Sequence, residues 1–281
     1  MRMSETCARC LYDREREKTD HPAYLAEVRR IIDGRAPGDT APYLSARFLE
    51  VYRRYFGSTA SYREIKRKYN DLVLSMEEAL RAGIEGAADP LATAFAYARI
   101  GNYIDFGALR SVDEGAFLAL FETASLTKRD QAAWESFLAS CVKGKRFLLI
   151  ADNCGEIVLD KLFIEQLKKR FPHLSAAVMV RGGEVLNDAT AEDAAYAGLG
   201  DVAQVIPSGT AIPGTVYRLL SEEAKAAIDS ADIILAKGQG NYESLCGQGR
   251  RIFYAFLCKC DLFTERFGVP RFTGMLLEER E

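Results

Sequence analysis

The chain has 281 residues, with 37 basic and 40 acidic side chains, a formal net charge of -3 and 48% hydrophobic residues. A chain of this length buries roughly three quarters of the surface that its unfolded form exposes, enough for one large domain or two unequal ones. The slightly negative charge excludes a general attraction to nucleic acid, whose phosphates bind a concentrated basic surface. No stretch approaches the roughly 18 apolar residues of a membrane span, and the polar amino terminus lacks the apolar segment of a signal peptide. The sequence therefore predicts a globular cytoplasmic protein that binds neither nucleic acid nor membrane, and it leaves the oligomeric state open.

Seven cysteines are present, an odd number without regular spacing, which is typical of reduced thiols in a chain this long. Cys7 and Cys10 form a CxxC pair near the amino terminus. Cys258 and Cys260 are the nearest pair that could complete a zinc site with them, although CxC spacing is unusual for zinc. Ordinary thiols, a structural metal and a redox or regulatory role all stay open for these residues.

The first half of the chain has the pattern of successive helices. From residue 22 to about residue 138, apolar residues recur three and four positions apart, as at Tyr24, Val28 and Ile31. This period predicts amphipathic helices that bury one face. No strand is expected before residue 146, so we predict a helical region over residues 1–144.

The second half alternates short apolar runs with helical patterns. The runs cover residues 146–151, 176–180, 202–206 and 233–236, and residues 252–257 could supply a fifth. Strands that alternate with helices predict parallel βαβ units, and continuous apolar runs predict strands covered on both faces. We therefore expect an α/β fold over residues 145–281, with three α/β/α layers and a mainly parallel sheet.

Four of these predicted strands run directly into loops of small and polar residues, which have the sequences DNCGE, RGGEVLNDAT, SGTAIPGT and KGQGNYE. In an open α/β sheet, ligands bind in the crevice beyond the carboxyl ends of the strands. The loops are far apart in sequence, between residues 152 and 243, but this topology predicts that they meet at one site.

The first two loops carry candidate metal ligands. Asp152 and Asn153 follow the first strand, and Asp188 lies in the loop after the second. Two carboxylates and an amide oxygen suit a hard cation such as Mg²⁺ or Mn²⁺. Alternatively, both aspartates cap helices, for which aspartate is among the preferred residues. Their matching positions in successive βα units favour the metal site.

The last two loops are candidate phosphate sites. Lys237 supplies a positive charge, and the glycines at 238 and 240 allow backbone N–H groups to approach an anion. The loop from 208 to 215 is a second cradle, although either loop could be a plain turn. Neither loop matches the P-loop or GxGxxG patterns. With only two histidines in the chain, a Ser/His/Asp triad is excluded as a working hypothesis.

Taken together, the motifs DNCGE, RGGEVLNDAT and KGQGNYE resemble the metal-dependent damage-control phosphatases, a family long classified as domain of unknown function 89. The segment GNYIDFG at 101–107 is similar to a further motif of that family. The CxxC at Cys7 and Cys10 resembles its small prokaryotic-type branch, so the likeness covers nearly the whole chain. One departure is Cys154, where a smaller residue such as alanine or serine is expected.

This resemblance implies an α/β/α catalytic region with a helical amino-terminal portion. It implies a divalent cation (Mn²⁺, Mg²⁺, Co²⁺ or Ni²⁺) held by Asp152, Asn153 and Asp188, with Lys237 as a fourth catalytic residue that binds phosphate. The implied reaction is hydrolysis of phosphate monoesters of small metabolites, such as sugar phosphates or damaged phosphometabolites. The candidate substrate contacts are Asn102, Asp105, Arg181, Asn187, Ser208, Gly209, Thr210, Gly238, Gln239, Gly240 and Asn241.

Several alternatives stay open from sequence. Direct attack by water is favoured over an aspartyl-phosphate at Asp152, because Cys154 occupies the second position of the DxD motif that such phosphatases use. Asn102 and Asp105 could cap a buried helix instead of contacting substrate. The same loops could belong to a non-catalytic module that binds a phosphometabolite. A protein carboxyl methyltransferase is the third possibility, but no glycine-rich first loop with an acidic ribose partner is present.

Overall fold

The computed structural model describes residues 3–57, 62–104 and 113–280. Before the first strand, the described residues form helices only, as predicted. The first of them begins well before residue 22. Its sequence is dominated by charged residues and buries only Ala8 and Glu15, so it lacks a strong apolar stripe. The helices are α1 (Glu5–Lys18), α2 (Pro22–Asp33), α3 (Ala41–Phe56), α4 (Arg63–Ser75), α5 (Glu77–Glu85), α6 (Pro90–Gly101), α7 (Glu114–Glu122) and α8 (Gln131–Lys143).

The remainder alternates strands and helices, and all five predicted strands are present. A sixth strand, which the sequence did not predict, follows the last helix. Short 3₁₀ turns at Leu199–Asp201 and Tyr217–Leu219 interrupt the connections. The elements are β1 (Arg146–Ile150), α9 (Glu156–Arg170), β2 (Ser175–Val180), α10 (Ala191–Tyr196), β3 (Gln204–Pro207), α11 (Glu222–Ser230), β4 (Ile233–Lys237), α12 (Gln239–Leu245), β5 (Ile252–Leu257), α13 (Asp261–Phe267) and β6 (Gly274–Glu279).

The sheet has the strand order β3-β2-β1-β4-β5-β6. Strands β1 to β5 are parallel, and β6 pairs with β5 in the antiparallel sense. The chain builds outward from β1 to β3 and then returns to place β4 on the other side of β1. This reversal makes a topological switch point between β1 and β4, where the loops that follow the two strands diverge to opposite faces.

Helices cover both faces of the sheet, which confirms the three-layer α/β fold. Successive strand residues point to opposite faces. Phe147 and Leu149 of β1 join the core beneath α6, α8 and α9, whereas Leu148 and Ile150 join the core under α11 and α12. Because the strands are buried on both sides, their sequences are continuous apolar runs rather than alternating ones.

The helical region divides between two cores. Helices α4 to α8 contribute to the larger sheet core, for example through Phe95 and Phe137. Helices α1 to α3 pack around a separate cluster that includes Tyr24, Val28 and Phe48. The division into regions 1–144 and 145–281 stays a prediction, and the larger core draws side chains from both. None of the described helices combines the length and the apolar character needed to cross a bilayer.

Candidate active site

The switch point brings the first and fourth loops into direct contact. Asp152 follows β1 after a single residue, and Gly238 directly follows β4 with a φ of +81°. A Cβ atom added to Gly238 would lie 2.0 Å from Oδ2 of Asp152, far inside any allowed contact. Glycine is therefore required here for two reasons, the left-handed backbone and the close approach of the aspartate.

Backbone contacts join the first two loops. Asn153 and Asp188 form an isolated antiparallel bridge. The N–H of Ala189 donates to the carbonyl of Asp152 at 2.8 Å, and the N–H of Cys154 donates to the carbonyl of Asn187 at 2.8 Å. The structure thus brings together the three predicted metal ligands, which the sequence separates by 36 positions.

Arg181 lies between the two aspartates and is 2% exposed. Its Nε donates to Oδ2 of Asp188 at 2.7 Å, and its Nη2 donates to Oδ1 of Asp152 at 3.3 Å. Its Nη1 donates to the side chains of Asn241 at 3.1 Å and Thr215 at 3.3 Å. One guanidinium therefore contacts a side chain from each of the four predicted loops.

Asn102 reaches the site from the helical region. It caps the end of α6, where Gly101 packs so closely on α9 that a Cβ would lie 2.9 Å from the Cα of Glu156. Its Nδ2 donates to Oδ2 of Asp152 at 2.9 Å, and its Oδ1 accepts from the N–H of Leu257 at 3.1 Å. Asp105, the other candidate from this segment, lies outside the described residues.

Glu156 is a buried site residue that the sequence interpretation missed. Its Oε2 accepts from Nδ2 of Asn153 at 3.0 Å and from Nδ2 of Asn102 at 3.3 Å. Its Oε1 lies 2.8 Å from Nζ of Lys237. The signal was an acid in the first turn of α9, but such residues usually serve the helix terminus from the surface.

Lys237 faces α9 rather than the crevice between the loops. It is fully buried, and its ammonium contacts Oδ1 of Asp160 at 2.6 Å, Oε1 of Glu156 at 2.8 Å and the carbonyl of Ala98 at 3.0 Å. The contacts with Asp160 and Ala98 are hydrogen bonds, and the contact with Glu156 is an ion pair. The predicted direct contact with phosphate, which stays a prediction, would require the ammonium to leave one of them.

Burial and neighbouring charges shift the pKa values of Lys237 and Asp160. Burial alone would lower the pKa of Lys237, but Asp160 and Glu156 outweigh it and hold that pKa above its ordinary value. Burial raises the pKa of Asp160 to about 7, against the opposing effect of Lys237 and with a further increase from Glu156. Lys237 is therefore charged at neutral pH. Asp160 changes its protonation state near pH 7.

Asp160 predicts a pH dependence of stability. The native state holds the Asp160 proton up to about pH 7, whereas the unfolded chain releases it near the ordinary value of 3.8. Because the native state binds more protons in between, this group makes stability fall as pH rises from about 4 to 7, by at most about 1.4 kcal/mol per pH unit. Chemical denaturation of Asp160→Asn should show a shallower fall than the wild type. Parallel stability profiles of the two proteins would contradict this assignment.

Asn241 and Asn187 are both fully buried and hold loops together. Asn241 donates to the carbonyls of Lys237 at 2.6 Å and Ala151 at 3.1 Å, while its Oδ1 accepts from Arg181 and Thr215. Asn187 donates to Oδ1 of Asn153 at 3.1 Å. Contact of Asn241 and Asn187 with substrate stays a prediction. In the structure their side chains bind neighbouring groups of the protein.

Ser208 and Gln239, two further predicted substrate contacts, form hydrogen bonds away from the two aspartates. Ser208 Oγ accepts from the N–H of Gly182 at 3.0 Å. The side chain of Gln239 accepts from the N–H of Lys259 at 2.6 Å and donates to Sγ of Cys260 at 3.5 Å. Their predicted role is untested, as it is for Gly209, Thr210, Gly238 and Gly240.

The donor set suits a divalent cation. Asp152 and Asp188 provide carboxylate oxygens from adjacent loops, and both are nearly buried. Nδ2 of Asn153 donates to Asp152 and Glu156, which fixes its Oδ1 on the opposite side of the amide. A hard cation prefers oxygen ligands of this kind. In the described part of the chain, no group of three or more Asp, Glu, His or Cys side chains is arranged to hold a metal. The predicted ligand set consists of two carboxylates and one amide, and it stays a prediction.

The same finding bears on the cysteines. Cys7 and Cys10 lie on α1, and Cys260 precedes α13. Burial raises the pKa of the Cys7 thiol above its ordinary value and that of Cys258 to about 11, so these thiols are protonated at neutral pH. Over the described ranges no group of three or more Asp, Glu, His or Cys side chains is arranged to hold a metal. Cys260 nevertheless lies close enough to Cys7 and Cys10 to interact with them electrostatically, and the role of these cysteines stays open.

A surface depression of about 740 Å³ lies at the opposite edge of the sheet, where Arg146 begins β1 and Asp232 precedes β4. None of the predicted site residues that the structure describes lines it. The side chains with candidate chemistry and this depression therefore occupy different ends of the strands.

Comparison with known proteins shows the family of the chain. The sequence profile of the damage-control phosphatase ARMT1-like domain matches residues 2–273. The chain belongs to this family. An uncharacterized protein of Methanocaldococcus jannaschii is 32% identical over 226 residues, which cover 77% of this chain and 73% of the relative.

Two further relatives of this damage-control phosphatase family member are named for an activity. A damage-control phosphatase of Pyrococcus horikoshii is 29% identical over 80% of this chain and 76% of its own length. Another, of Archaeoglobus fulgidus, is 28% identical over 78% of this chain and 77% of its own length. The crystal structure of a DUF89 family protein from Pyrococcus horikoshii superposes over the whole of both chains with a TM-score of 0.79 and 24% identity, which shows the shared fold.

Proposed function

We propose that this protein is a divalent-metal-dependent phosphatase that hydrolyses phosphate monoesters of small metabolites, such as sugar phosphates or damaged phosphometabolites. Support comes from the family and from relatives named damage-control phosphatases. The observation that carries the proposal is the convergence of Asp152, Asn153 and Asp188 around one buried arginine at the switch point. We also propose a cytoplasmic location and a small phosphorylated metabolite as the partner.

In this proposal Asp152, Asn153 and Asp188 hold the cation, which is Mn²⁺, Mg²⁺, Co²⁺ or Ni²⁺. Bound there, it would supply Lewis-acid polarisation of a phosphoryl oxygen. Glu156 accepts from Nδ2 of Asn153 and so fixes the orientation of that amide, whose oxygen also accepts from Asn187 and has a second lone pair for the cation. Lys237 balances the charge of Glu156 from beneath, and therefore acts as a positioning residue through it.

Asp152 is better suited to ligation than to nucleophilic attack. Its Oδ2 accepts from Asn102 and Asn153, and its Oδ1 accepts from Arg181. Hydrogen bonds to both oxygens disperse the negative charge and lower the nucleophilicity of the carboxylate. We therefore favour attack by water over an aspartyl-phosphate intermediate. The Gly238 turn brings backbone close to Asp152, but the N–H of Gly238 itself donates to the carbonyl of Ala255 at 3.0 Å. In this proposal the N–H groups that stabilise charge on the phosphoryl oxygens therefore belong to the residues that follow Gly238.

Metal removal tests this proposal. Purified protein should release inorganic phosphate from p-nitrophenyl phosphate and from a panel of sugar phosphates when Mn²⁺, Mg²⁺, Co²⁺ or Ni²⁺ is added. A chelator should abolish the release, and excess metal should restore it. Turnover that is equally fast in chelator would contradict the metal requirement. Binding of metal and phosphate without turnover would indicate the non-catalytic module instead, and heat on titration with a methyl donor would indicate methyl transfer.

A further inference from the structure

The guanidinium of Arg181 contacts the same two carboxylates that the proposed cation would use. It lies 2.7 Å from Asp188 and 3.3 Å from Asp152, and all three side chains are at most 8% exposed. Arginine suits such a place because it stays protonated and its donors are fixed in a plane. The two aspartates therefore already have a permanent counter-cation.

The arginine is itself firmly held. Its N–H donates to the carbonyl of Ala189 at 2.9 Å, and its Nη1 is fixed by Asn241 and Thr215. Thr215 Oγ1 also donates to Oδ1 of Asn241 at 2.8 Å. The guanidinium cannot leave the aspartates without also breaking contacts to the third and fourth loops, so it is part of the resting site.

The positive charge of Arg181 beside Asp152 and Asp188 stabilises the fold but opposes the binding of a metal cation. Removing one partner of a buried ion pair leaves a charge uncompensated, which is strongly destabilising. A divalent cation on the same carboxylates would, in contrast, be repelled by a guanidinium a few ångströms away, and this repulsion is strong in a poorly solvated site. The contacts of Arg181 with both aspartates therefore favour the folded arrangement of the loops and oppose a second cation on the same carboxylates.

We propose that Arg181 is the resident counter-cation of the metal site, which holds Asp152 and Asp188 in place before the metal arrives and lowers the affinity of the site for divalent cations. This inference rests on the proposed function and deepens it. It gives Arg181 a role that differs from direct contact with substrate. A substrate contact would change KM, whereas a counter-cation changes metal affinity in the absence of any substrate.

The test uses Mn²⁺ alone, with binding followed by electron paramagnetic resonance and calorimetry. Arg181→Met removes the charge, and Arg181→Gln removes it while keeping a hydrogen-bond donor, in case the methionine variant does not fold. Both should bind Mn²⁺ at least about tenfold more tightly than the wild type. Their melting temperature should fall without metal and recover with Mn²⁺ more than that of the wild type. Arg218→Met is the matched control, because Arg218 is 56% exposed and pairs with Asp39.

The metal site and the counter-cation role of Arg181 can be contradicted by different results. If the wild type binds Mn²⁺ and both Arg181 variants bind it equally or more weakly, the counter-cation role is overturned and the metal site stands. If neither the wild type nor the variants bind Mn²⁺, the metal site is overturned together with this inference. Tighter binding by Arg218→Met as well would indicate a general charge effect and would also overturn the role of Arg181.

Discussion

Replacing Asp152 or Asp188 by alanine is expected to lower metal-stimulated phosphatase activity by well over 100-fold, since loss of residues that only support a metal ligand costs about 10- to 100-fold. In the proposed site, each aspartate is one of the two carboxylates that would hold the cation. Replacing Asp152 also leaves donors of Asn102, Asn153 and Arg181 without their acceptor. The measurement is the initial rate of phosphate release at saturating Mn²⁺.

Asp152→Asn separates charge from shape, because the amide keeps the size of the side chain and one acceptor. If the negative charge of residue 152 is needed to bind the cation, Asp152→Asn should be nearly as inactive as Asp152→Ala. Asp261→Ala is the matched control, since Asp261 is 80% exposed and pairs only at the surface with Arg271. Wild-type turnover in Asp152→Ala and Asp188→Ala, with both variants folded, would exclude these aspartates from catalysis.

Gly238→Ala is expected to remove both activity and stability. The added methyl group would lie 2.0 Å from Oδ2 and 2.2 Å from Cγ of Asp152, so either the aspartate or the backbone after β4 must move. An alanine at positive φ costs about 1 kcal/mol, and a forced contact in a packed site adds a further 1–3 kcal/mol or so. We expect the free energy of unfolding to fall by about 3 kcal/mol, with Mn²⁺ binding severely weakened.

Gly247→Ala isolates the effect of the contact from that of the backbone. Gly247 has nearly the same φ, +84°, but no atom lies within 4 Å of its added Cβ. It should therefore lose only about 1 kcal/mol of stability and keep normal activity. Chemical denaturation and the rate assay measure both quantities. Equal losses in the two alanine variants would show that Asp152 and Gly238 are not in the predicted contact.

Much of the fold could be predicted because its signals are local. A buried parallel strand is a short continuous apolar run, and the five runs from residue 146 onward correspond to β1 to β5. Their loops meet because parallel strands direct their carboxyl ends to one edge. The grouping of Asp152, Asn153 and Asp188 thus followed from topology. Strand β6 was missed because it is a partly buried antiparallel edge strand after an irregular segment, so it lacks a long continuous apolar run.

The direction of the Lys237 side chain could not be predicted from its position in the loop motif. It stands two residues after Leu235, so strand alternation places it on the same face of β4, under α6 and α9. Which helix covers that face depends on the tertiary fold. A lysine beside a glycine-rich turn suggests phosphate binding, whereas this lysine meets Glu156 and Asp160, one helical turn apart on α9.

The support of the site depends on contacts that no local pattern reveals. Asn102 contacts Asp152 across 50 positions of sequence, and Leu257 contacts Asn102 across 155. Gly101 permits this by letting α6 approach α9 without an intervening side chain. From sequence alone, Asn102 was equally well explained as a helix cap, and in the structure it is a cap that also reaches the site.

The proposed metal site is tested most directly by a crystal structure of the protein grown with Mn²⁺ and phosphate, with anomalous data collected at the manganese edge. One strong anomalous peak is expected in contact with the carboxylates of Asp152 and Asp188 and the amide oxygen of Asn153, with phosphate beside it. A peak at any other part of the chain, or no peak between these three side chains at saturating Mn²⁺, would contradict it.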